Sequence, residues 1–330
     1  MKYGNSTLSG RFLLAPMAAY TDKAFRLVCR QRGAAMCFTE FANATALARG
    51  IRNSWDLVGT VEGEMPVGIQ IFGSEPQIMA KACKLISERT AAGGLFASCI
   101  DLNFGCPAGS VIRAGAGSAL LRKPERMAEI VEACVKASDL PITCKLRAGW
   151  SGDRAKELAI LLEKSGAAGI TLHWRTATEG RKRSEGWTGL AGVKDALSIP
   201  LIANGGATTP ERAVRLLRES ACDAVMIASG ALGNPDIFSQ ANALLAGKEA
   251  KAQIWGERLS DFLKYVSLAQ KHELLDAKRL RMQALEFLAG YPGARAWRGK
   301  INAAKTVEEI TARMESFEPD AYSSSSERKV

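Results

Sequence analysis

Eight short apolar runs alternate with helical patterns over most of the chain, and this alternation restricts the folds that the chain can adopt. The runs are rich in β-branched and aromatic residues, and glycine, proline or polar residues interrupt the segments between them. Such an order is typical of βα units, whose strands join one parallel sheet. The runs are residues 12–17, 35–40, 67–72, 99–103, 142–147, 169–174, 201–204 and 224–228.

Polar and glycine-rich groups follow most of these runs. An open doubly wound sheet, the alternative architecture, gathers its site at one switch point, whereas a (β/α)8 barrel collects residues from all strand ends at one rim. We therefore predict an α/β protein with a (β/α)8 TIM barrel. Helix-entry signals agree with this prediction, since capping or proline residues precede the helical segments 23–32, 77–89 and 211–219.

The strand pattern stops after Phe238, and the 330 residues exceed the roughly 250 of a typical single barrel. Residues 251–317 have helical patterns rich in Lys, Arg, Leu and Ala, and the stretch 271–281 looks like a basic helix. We predict a barrel domain over 1–245, a smaller C-terminal all-helical domain over 246–318, and a disordered tail over 319–330.

Composition excludes several classes of protein. The apolar stretches are of strand length and no secretory signal is visible, so we expect no membrane association and a cytoplasmic location. The eight cysteines form no Cys-x-x-Cys pair and only two histidines are present, so we expect no metal site. A net charge of +10 favours a polyanionic partner, although many soluble proteins are basic.

The segment 101–107, Asp-Leu-Asn-Phe-Gly-Cys-Pro, carries the most chemical information. Cys106 lies between Gly105 and Pro107, beyond the fourth run, where a barrel exposes residues to ligand; the other cysteines lie mostly inside apolar runs. Lys145 and His173 end or nearly end the next two runs, so we expect both in the same pocket. The remaining histidine, His272, is expected at the surface.

The segment Asn-x-Gly-Cys-Pro at 103–107, followed by Arg-Ala-Gly-Ala-Gly-Ser-Ala-Leu-Leu at 113–121, resembles the signature of the tRNA-dihydrouridine synthases. The resemblance covers nearly the whole chain. The chain departs from the family at Ala228-Ser229, where Gly-Arg is frequent, at Gly206, which replaces an aspartate, and at Trp174, which replaces a small residue. Further similar segments are 15–18, 21–22, 25–26, 70–74, 145–147, 173–176, 204–206, 230–235 and 290–295.

The resemblance implies that FMN, reduced by NADPH or NADH, gives hydride to C6 of specific tRNA uridines and forms 5,6-dihydrouridine. Cys106 would protonate C5, since thiols are mostly protonated at neutral pH. Asn103 and Arg175 would bind the uridine, and a cation at Lys145 would stabilise negative charge on the flavin. The expected FMN contacts are Pro16, Met17, Gln70, Lys145, His173, Asn204, Gly205, Gly206, Ser229 and Gly230.

The implied partner is tRNA, which the helical domain and the basic run at 181–183, Arg181, Lys182 and Arg183, would contact. The target uridine would have to leave its stack to reach the barrel rim. We expect a monomer. Two alternatives stay open: a small-molecule FMN barrel similar to a dihydroorotate dehydrogenase, and an RNA-binding protein that has lost catalysis. The first leaves the helical domain unexplained, and the second leaves Cys106, Lys145 and His173 unexplained.

Overall fold

The computed structural model describes residues 1–179 and 187–319. A short hairpin, β1 (Lys2–Tyr3) and β2 (Ser6–Thr7), precedes the strands of the main sheet. These strands are β3 (Phe12–Leu14), β4 (Cys37–Phe38), β5 (Ala42–Asn43), β6 (Val67–Phe72), β7 (Cys99–Phe104), β8 (Ile142–Arg147), β9 (Ile170–His173), β10 (Leu201–Asn204) and β11 (Ala224–Ile227).

All pairings in the main sheet are parallel, and they run in the order β3-β11-β10-β9-β8-β7-β6-β4, with β5 also paired to β6. A parallel bridge between Leu13 and Met36 joins the two ends of this order, so the sheet closes on itself. Each of the eight predicted runs overlaps one strand of the barrel. The predicted (β/α)8 barrel is confirmed, and the open doubly wound sheet is excluded.

Helices follow the barrel strands as the βα pattern predicts, and the three expected entry signals lie where these helices begin. Asp22 accepts a hydrogen bond from the Phe25 amide (2.9 Å), Pro76 begins a helix, and Thr209 caps another. The first ten helices are α1 (Lys23–Gln31), α2 (Ala44–Ala48), α3 (Arg52–Leu57), α4 (Pro76–Ala91), α5 (Gly109–Arg113), α6 (Pro124–Ala137), α7 (Ala155–Lys164), α8 (Gly189–Lys194), α9 (Pro210–Ser220) and α10 (Ile237–Leu245), with 3-10 turns at Glu62–Glu64 and Gly117–Arg122.

Apolar side chains fill the barrel at the N-terminal ends of its strands. Tyr3, from the hairpin, is 1% exposed and packs there with Leu13, Met36, Phe38 and their neighbours. A Cβ atom on Gly169 would lie 2.5 Å from the Tyr3 ring, so the close approach of this ring requires glycine. The packing closes this end of the barrel and leaves polar side chains to the opposite rim.

Four more helices follow the barrel: α11 (Trp255–Lys271), α12 (Ala277–Leu288), α13 (Ala294–Ala303) and α14 (Val307–Glu315). One apolar cluster includes both Phe238 of the barrel and Phe262 and Phe287 of these helices. The division of the chain at residue 245 therefore stays a prediction. No helix in the described ranges combines the length and apolar character needed to cross a membrane.

The predicted basic helix over 271–281 is wrong. Helix α11 ends at Lys271, and α12 begins at Ala277 because the Asp276 side chain caps it, accepting from the Arg279 amide at 2.9 Å. Two of the basic residues in this stretch hold the helices in place: Arg279 pairs with Asp22 (3.1 Å) and Arg281 donates to the Ala304 carbonyl (2.6 Å). Charge reversal here would disturb packing as well as any RNA contact.

Asp22 joins the barrel to these helices, and its removal should destabilise the folded protein. Its Oδ1 caps α1, and its Oδ2 accepts from the Tyr265 hydroxyl (3.0 Å) and from Arg279 (3.1 Å). We expect Asp22→Ala to lower the free energy of unfolding by about 3 kcal/mol, because three buried or half-buried donors lose their acceptor. Urea denaturation measures this. Glu88→Ala, which removes an exposed ion pair with Lys84 at 3.9 Å, is the control. Equal losses in the two variants would contradict the assignment.

Candidate functional site

A cavity of about 230 Å³ opens at the C-terminal rim of the barrel. Seven of the predicted site residues line it: Pro16, Gln70, Asn103, Cys106, Lys145, His173 and Asn204. The other lining residues are Ala15, Phe41, Gly105, Pro107, Arg147 and Ala228. Larger grooves of about 410, 750 and 260 Å³ lie beside α7, between α11 and α14, and next to Asp22, and none of the predicted site residues lines them.

Strand register explains why these residues meet. Asn103 of β7 pairs with Lys145 of β8, and His173 of β9 pairs with both Arg147 of β8 and Asn204 of β10. Paired residues of neighbouring strands project to the same face of a sheet. The alternation along each strand therefore turns these polar side chains inward at the rim, above the apolar interior.

Asn103 fixes the segment 105–107, which we call the Cys106 loop. Its Oδ1 accepts hydrogen bonds from the amides of Gly105 (3.1 Å) and Cys106 (2.9 Å), and its Nδ2 donates to Oε1 of Gln70 (2.9 Å). The oxygen is thereby committed to the loop. A ligand in the cavity would meet the second N–H of the Asn103 amide, so this residue offers a donor rather than both a donor and an acceptor.

Cys106 differs from the other cysteines in its exposure. It is half-buried, whereas the other seven are buried. Its carbonyl accepts from the Ser118 amide at 3.0 Å, and Gly117 lies beneath it at φ +58°. A Cβ atom on Gly117 would lie 2.8 Å from the Cys106 carbonyl oxygen, so only glycine fits here. The glycine-rich segment after Cys106 supports the loop from below.

The basic groups of the cavity lie close to one another. Burial and the charge of Arg147 lower the pKa of Lys145 to about 8. Burial, together with Lys145, Arg147 and Arg175, lowers the pKa of His173 to about 2, so its imidazole is neutral. The Arg175 amide donates to Nδ1 of His173 (3.2 Å), which leaves the proton of the neutral ring on Nε2. The cavity thus presents donors and positive charge, an arrangement that favours an anionic or acceptor-rich ligand.

Two charged residues at the site, Arg147 and Asp101, were missed by sequence reasoning. Arg147 lines the cavity and donates to the carbonyls of Gly105 (3.0 Å) and Thr176 (3.0 Å), which ties the Cys106 loop to the segment after β9. Asp101, fully buried below the cavity, accepts from Gln70 and Thr143 at 2.7 Å each, and burial raises its pKa to about 6. Both lie two residues from a predicted site residue on the same strand, and this period of two was the available signal.

Six predicted residues are not among those that line the cavity. Arg175 places its guanidinium 4.8 Å over the Trp174 ring. Gly205 and Gly206 have φ values of +106° and +82°; a Cβ atom on either would come within 2.9 Å of His173 or Trp187 respectively. The remaining residues of this group are Met17, Ser229 and Gly230.

Residues 181–183, the predicted basic run on the rim, lie outside the described residues. Within the described ranges, no group of three or more His, Cys, Asp or Glu side chains could hold a metal ion.

The sequence of this chain is similar to those of known proteins. Residues 13–322 match the family described as "Dihydrouridine synthase (Dus)". The chain is 34% identical to tRNA-dihydrouridine synthase B of Pseudomonas aeruginosa, with 96% of this chain and 95% of that protein covered. It is 34% identical to tRNA-dihydrouridine synthase B of Vibrio cholerae, with 96% and 98% covered.

Solved structures show the same fold at low identity. A histamine dehydrogenase from Rhizobium sp. 4-9 matches with a TM-score of 0.54 at 14% identity, over 81% of this chain and 50% of that one. A 2-naphthoyl-CoA reductase matches with a TM-score of 0.55 at 14% identity, over 75% and 52%. The chain thus spans about half the length of each of these two structures, and the likeness concerns the barrel fold alone.

Native thiol labelling should report Cys106 alone, because the other seven cysteines are buried. We expect iodoacetamide to add one group per folded chain, and none to Cys106→Ala. Intact-mass spectrometry measures the stoichiometry, with urea-unfolded protein as the control in which all eight cysteines react. A second fast-reacting thiol in the folded protein would contradict the burial of the others.

His173 should destabilise the folded protein in acid. Its pKa falls from 6.5 to about 2 on folding, so below pH 6.5 the unfolded chain binds more protons and stability decreases as the pH is lowered. We expect His173→Asn to reduce the stability loss between pH 7 and 4.5 by about 2 kcal/mol. Urea denaturation at both pH values tests this, with His272→Asn as the control, because His272 is less buried and its pKa is lowered less. An unchanged pH dependence in His173→Asn would show that this imidazole is charged in the folded state.

Proposed function

This chain belongs to the dihydrouridine synthase family, and we propose that it is a flavin-dependent oxidoreductase that reduces specific uridines of tRNA to 5,6-dihydrouridine. The observation that carries the proposal is the shared rim cavity, which brings together Cys106, Asn103, Lys145 and His173. The two relatives named above, both called tRNA-dihydrouridine synthase B, match this chain over nearly its full length.

The cavity fits the ring of FMN. The flavin ring system is flat and carries several nitrogen and oxygen acceptors, and its reduced form carries negative charge. The cavity offers matching groups: the Lys145 ammonium, the Nε2 proton of His173 and the amide of Gln70, beside Pro16 and Asn204. Lys145 would stabilise the negative charge, because its ammonium lies in a half-buried, partly desolvated position.

Glycines after β10 and β11 suit the FMN phosphate. In (β/α)8 barrels a phosphate is frequently bound by the loops after the seventh and eighth strands. Gly205 and Gly206 follow the seventh barrel strand, and Ser229 and Gly230 follow the eighth. A Cβ atom on Gly230 would lie 2.5 Å from the Ala207 carbonyl, so these two loops already lie against each other. Ser229 would offer its exposed hydroxyl in place of the arginine that is frequent in the family.

Bound FMN, reduced by NADPH or NADH, would supply the hydride that is added to C6 of uracil. Cys106 would then give its thiol proton to C5, which completes the saturation of the C5–C6 bond. The free N–H of Asn103 would donate to a uracil carbonyl, and Arg147 holds the Cys106 loop through the Gly105 carbonyl. The cations near the cavity would stabilise the negative charge that develops on the carbonyl oxygens of uracil.

The substrate would reach this cavity as a flipped base, because a stacked uridine cannot enter a barrel rim. Arg175, beside the rim on the Trp174 ring, would contact the nucleotide from outside the cavity. The net charge of +10 supports phosphate contacts across the barrel and the C-terminal helices. The monomeric state and the cytoplasmic location stay predictions.

Spectroscopy of the purified protein tests the proposal. We expect a yellow protein whose flavin absorption is bleached by NADPH without oxygen and returns when unmodified tRNA is added, with dihydrouridine appearing in the RNA. Cys106→Ala should retain flavin and bleaching but slow reoxidation by tRNA at least about 100-fold, because proton donation is lost. Cys222→Ala, a buried cysteine far from the cavity, is the control.

Other results would redirect the assignment. A yellow protein whose reduced flavin ignores tRNA would indicate a small-molecule flavin dehydrogenase. A colourless protein that binds tRNA would indicate an RNA-binding role without catalysis. Unchanged single-turnover reduction in Cys106→Ala would remove Cys106 from the mechanism.

A further inference from the structure

We propose that Asp101 is a positioning residue for the Cys106 loop and that it acts through a directed chain of hydrogen bonds formed by Gln70 and Asn103. Its catalytic consequence rests on the function proposed above.

The chain of hydrogen bonds begins at the Asp101 carboxylate, which is fully buried. Its Oδ1 accepts from the Thr143 hydroxyl (2.7 Å) and its Oδ2 accepts from Nε2 of Gln70 (2.7 Å). An ionised carboxylate has acceptors and no donor. The Gln70 amide must therefore turn its NH2 group toward Asp101 and its oxygen toward Asn103.

The chain of hydrogen bonds ends at two backbone N–H groups, which can only donate a hydrogen bond. Oε1 of Gln70 accepts from Nδ2 of Asn103, and Oδ1 of Asn103 accepts from the amides of Gly105 and Cys106. Reversal of either carboxamide would set donor against donor or acceptor against acceptor. With an acceptor at one end and donors at the other, a single orientation of both amides satisfies every group.

Burial disfavours any other orientation of the two side-chain amides. Gln70 is 0% exposed and Asn103 is 7% exposed, so water has little access to replace a lost partner. Gln70, Asp101 and Thr143 are neighbours across β6, β7 and β8, and Asn103 follows Asp101 by one strand period. Loss of the Asp101 acceptor would leave the Gln70 NH2 group without a partner and free to turn. Asn103, and with it the Cys106 loop, would then lose one of its constraints.

Three variants separate positioning from general packing. Asp101→Asn keeps an oxygen for Gln70 and offers its NH2 group to the Thr143 hydroxyl, which can reverse its bond. Asp101→Leu with Thr143→Val removes the acceptor together with the hydroxyl that would be left unpaired, so the core stays apolar and filled. Ser165→Ala removes a buried hydroxyl that donates to the Leu161 carbonyl (3.0 Å) at the end of α7, away from these hydrogen bonds.

The measurement is the rate of Cys106 alkylation by iodoacetamide in the folded protein, with circular dichroism and thermal unfolding as checks of folding. We expect Asp101→Asn and Ser165→Ala to react within about twofold of the unchanged protein. The Leu/Val double variant should react about fivefold faster or more, in line with the loss of roughly one net hydrogen bond that holds the loop. In turnover with tRNA, the same variant should lower kcat and leave KM nearly unchanged.

Equal alkylation rates in the folded double variant and the unchanged protein would overturn the proposal. If the double variant does not fold, Gln70→Met breaks the chain one link later and carries the same expectation and the same contrary outcome. These rates do not depend on turnover. If they follow the expected order but no dihydrouridine forms, the positioning role stands and the proposed function fails.

Discussion

In-register parallel pairing across β7, β8, β9 and β10 is the constraint on which the site depends. It places Asn103, Lys145, His173 and Asn204 side by side at the barrel rim. A slip of one residue in any of these pairings would turn the side chains of that strand from the interior to the outer face. The large apolar residues around Tyr3 hold the register, because they fill the interior near the N-terminal ends of the strands and cannot be turned outward without loss of the core.

The same layering produces the electrostatics of the cavity. Lys145 and Arg147 lie two residues apart on β8, and His173 faces them from β9. Burial and the positive charge of neighbouring side chains lower the pKa of all three: Arg147 acts on Lys145, Arg175 acts on Arg147, and Lys145, Arg147 and Arg175 act on His173. Asp101 supplies a negative charge from below the cavity, and this charge favours the protonated form of Lys145. The positive charge of Lys145 and Arg147 lies at the cavity that both side chains line.

Strands and helix starts could be predicted from the sequence because alternation and capping are local signals. The partners of a side chain are not local. Asn103 was predicted as a ligand contact, but its oxygen turns back to the Cys106 loop, a choice that depends on Gln70 from another strand. Asp101 and Arg147 were not predicted as site residues for the same reason, because their hydrogen-bond partners are distant in the sequence. The break between α11 and α12 was missed because Asp276 is a cap only when the chain turns there.

The C-terminal helices are joined to the cavity through the segment after β3. Gln283 of α12 donates to the Tyr20 carbonyl (3.1 Å), and Glu40 accepts from the Ala19 amide (2.5 Å) at a residue with φ +67°. Arg279 lies 3.9 Å from Glu40 and pairs with Asp22. Residues 16–21, which begin with a cavity-lining proline, are thus held from both the barrel and the helices. Arg279, one of the basic residues of α12, is used in this attachment, so its charge is balanced by Asp22 and Glu40 and is not available to a polyanion.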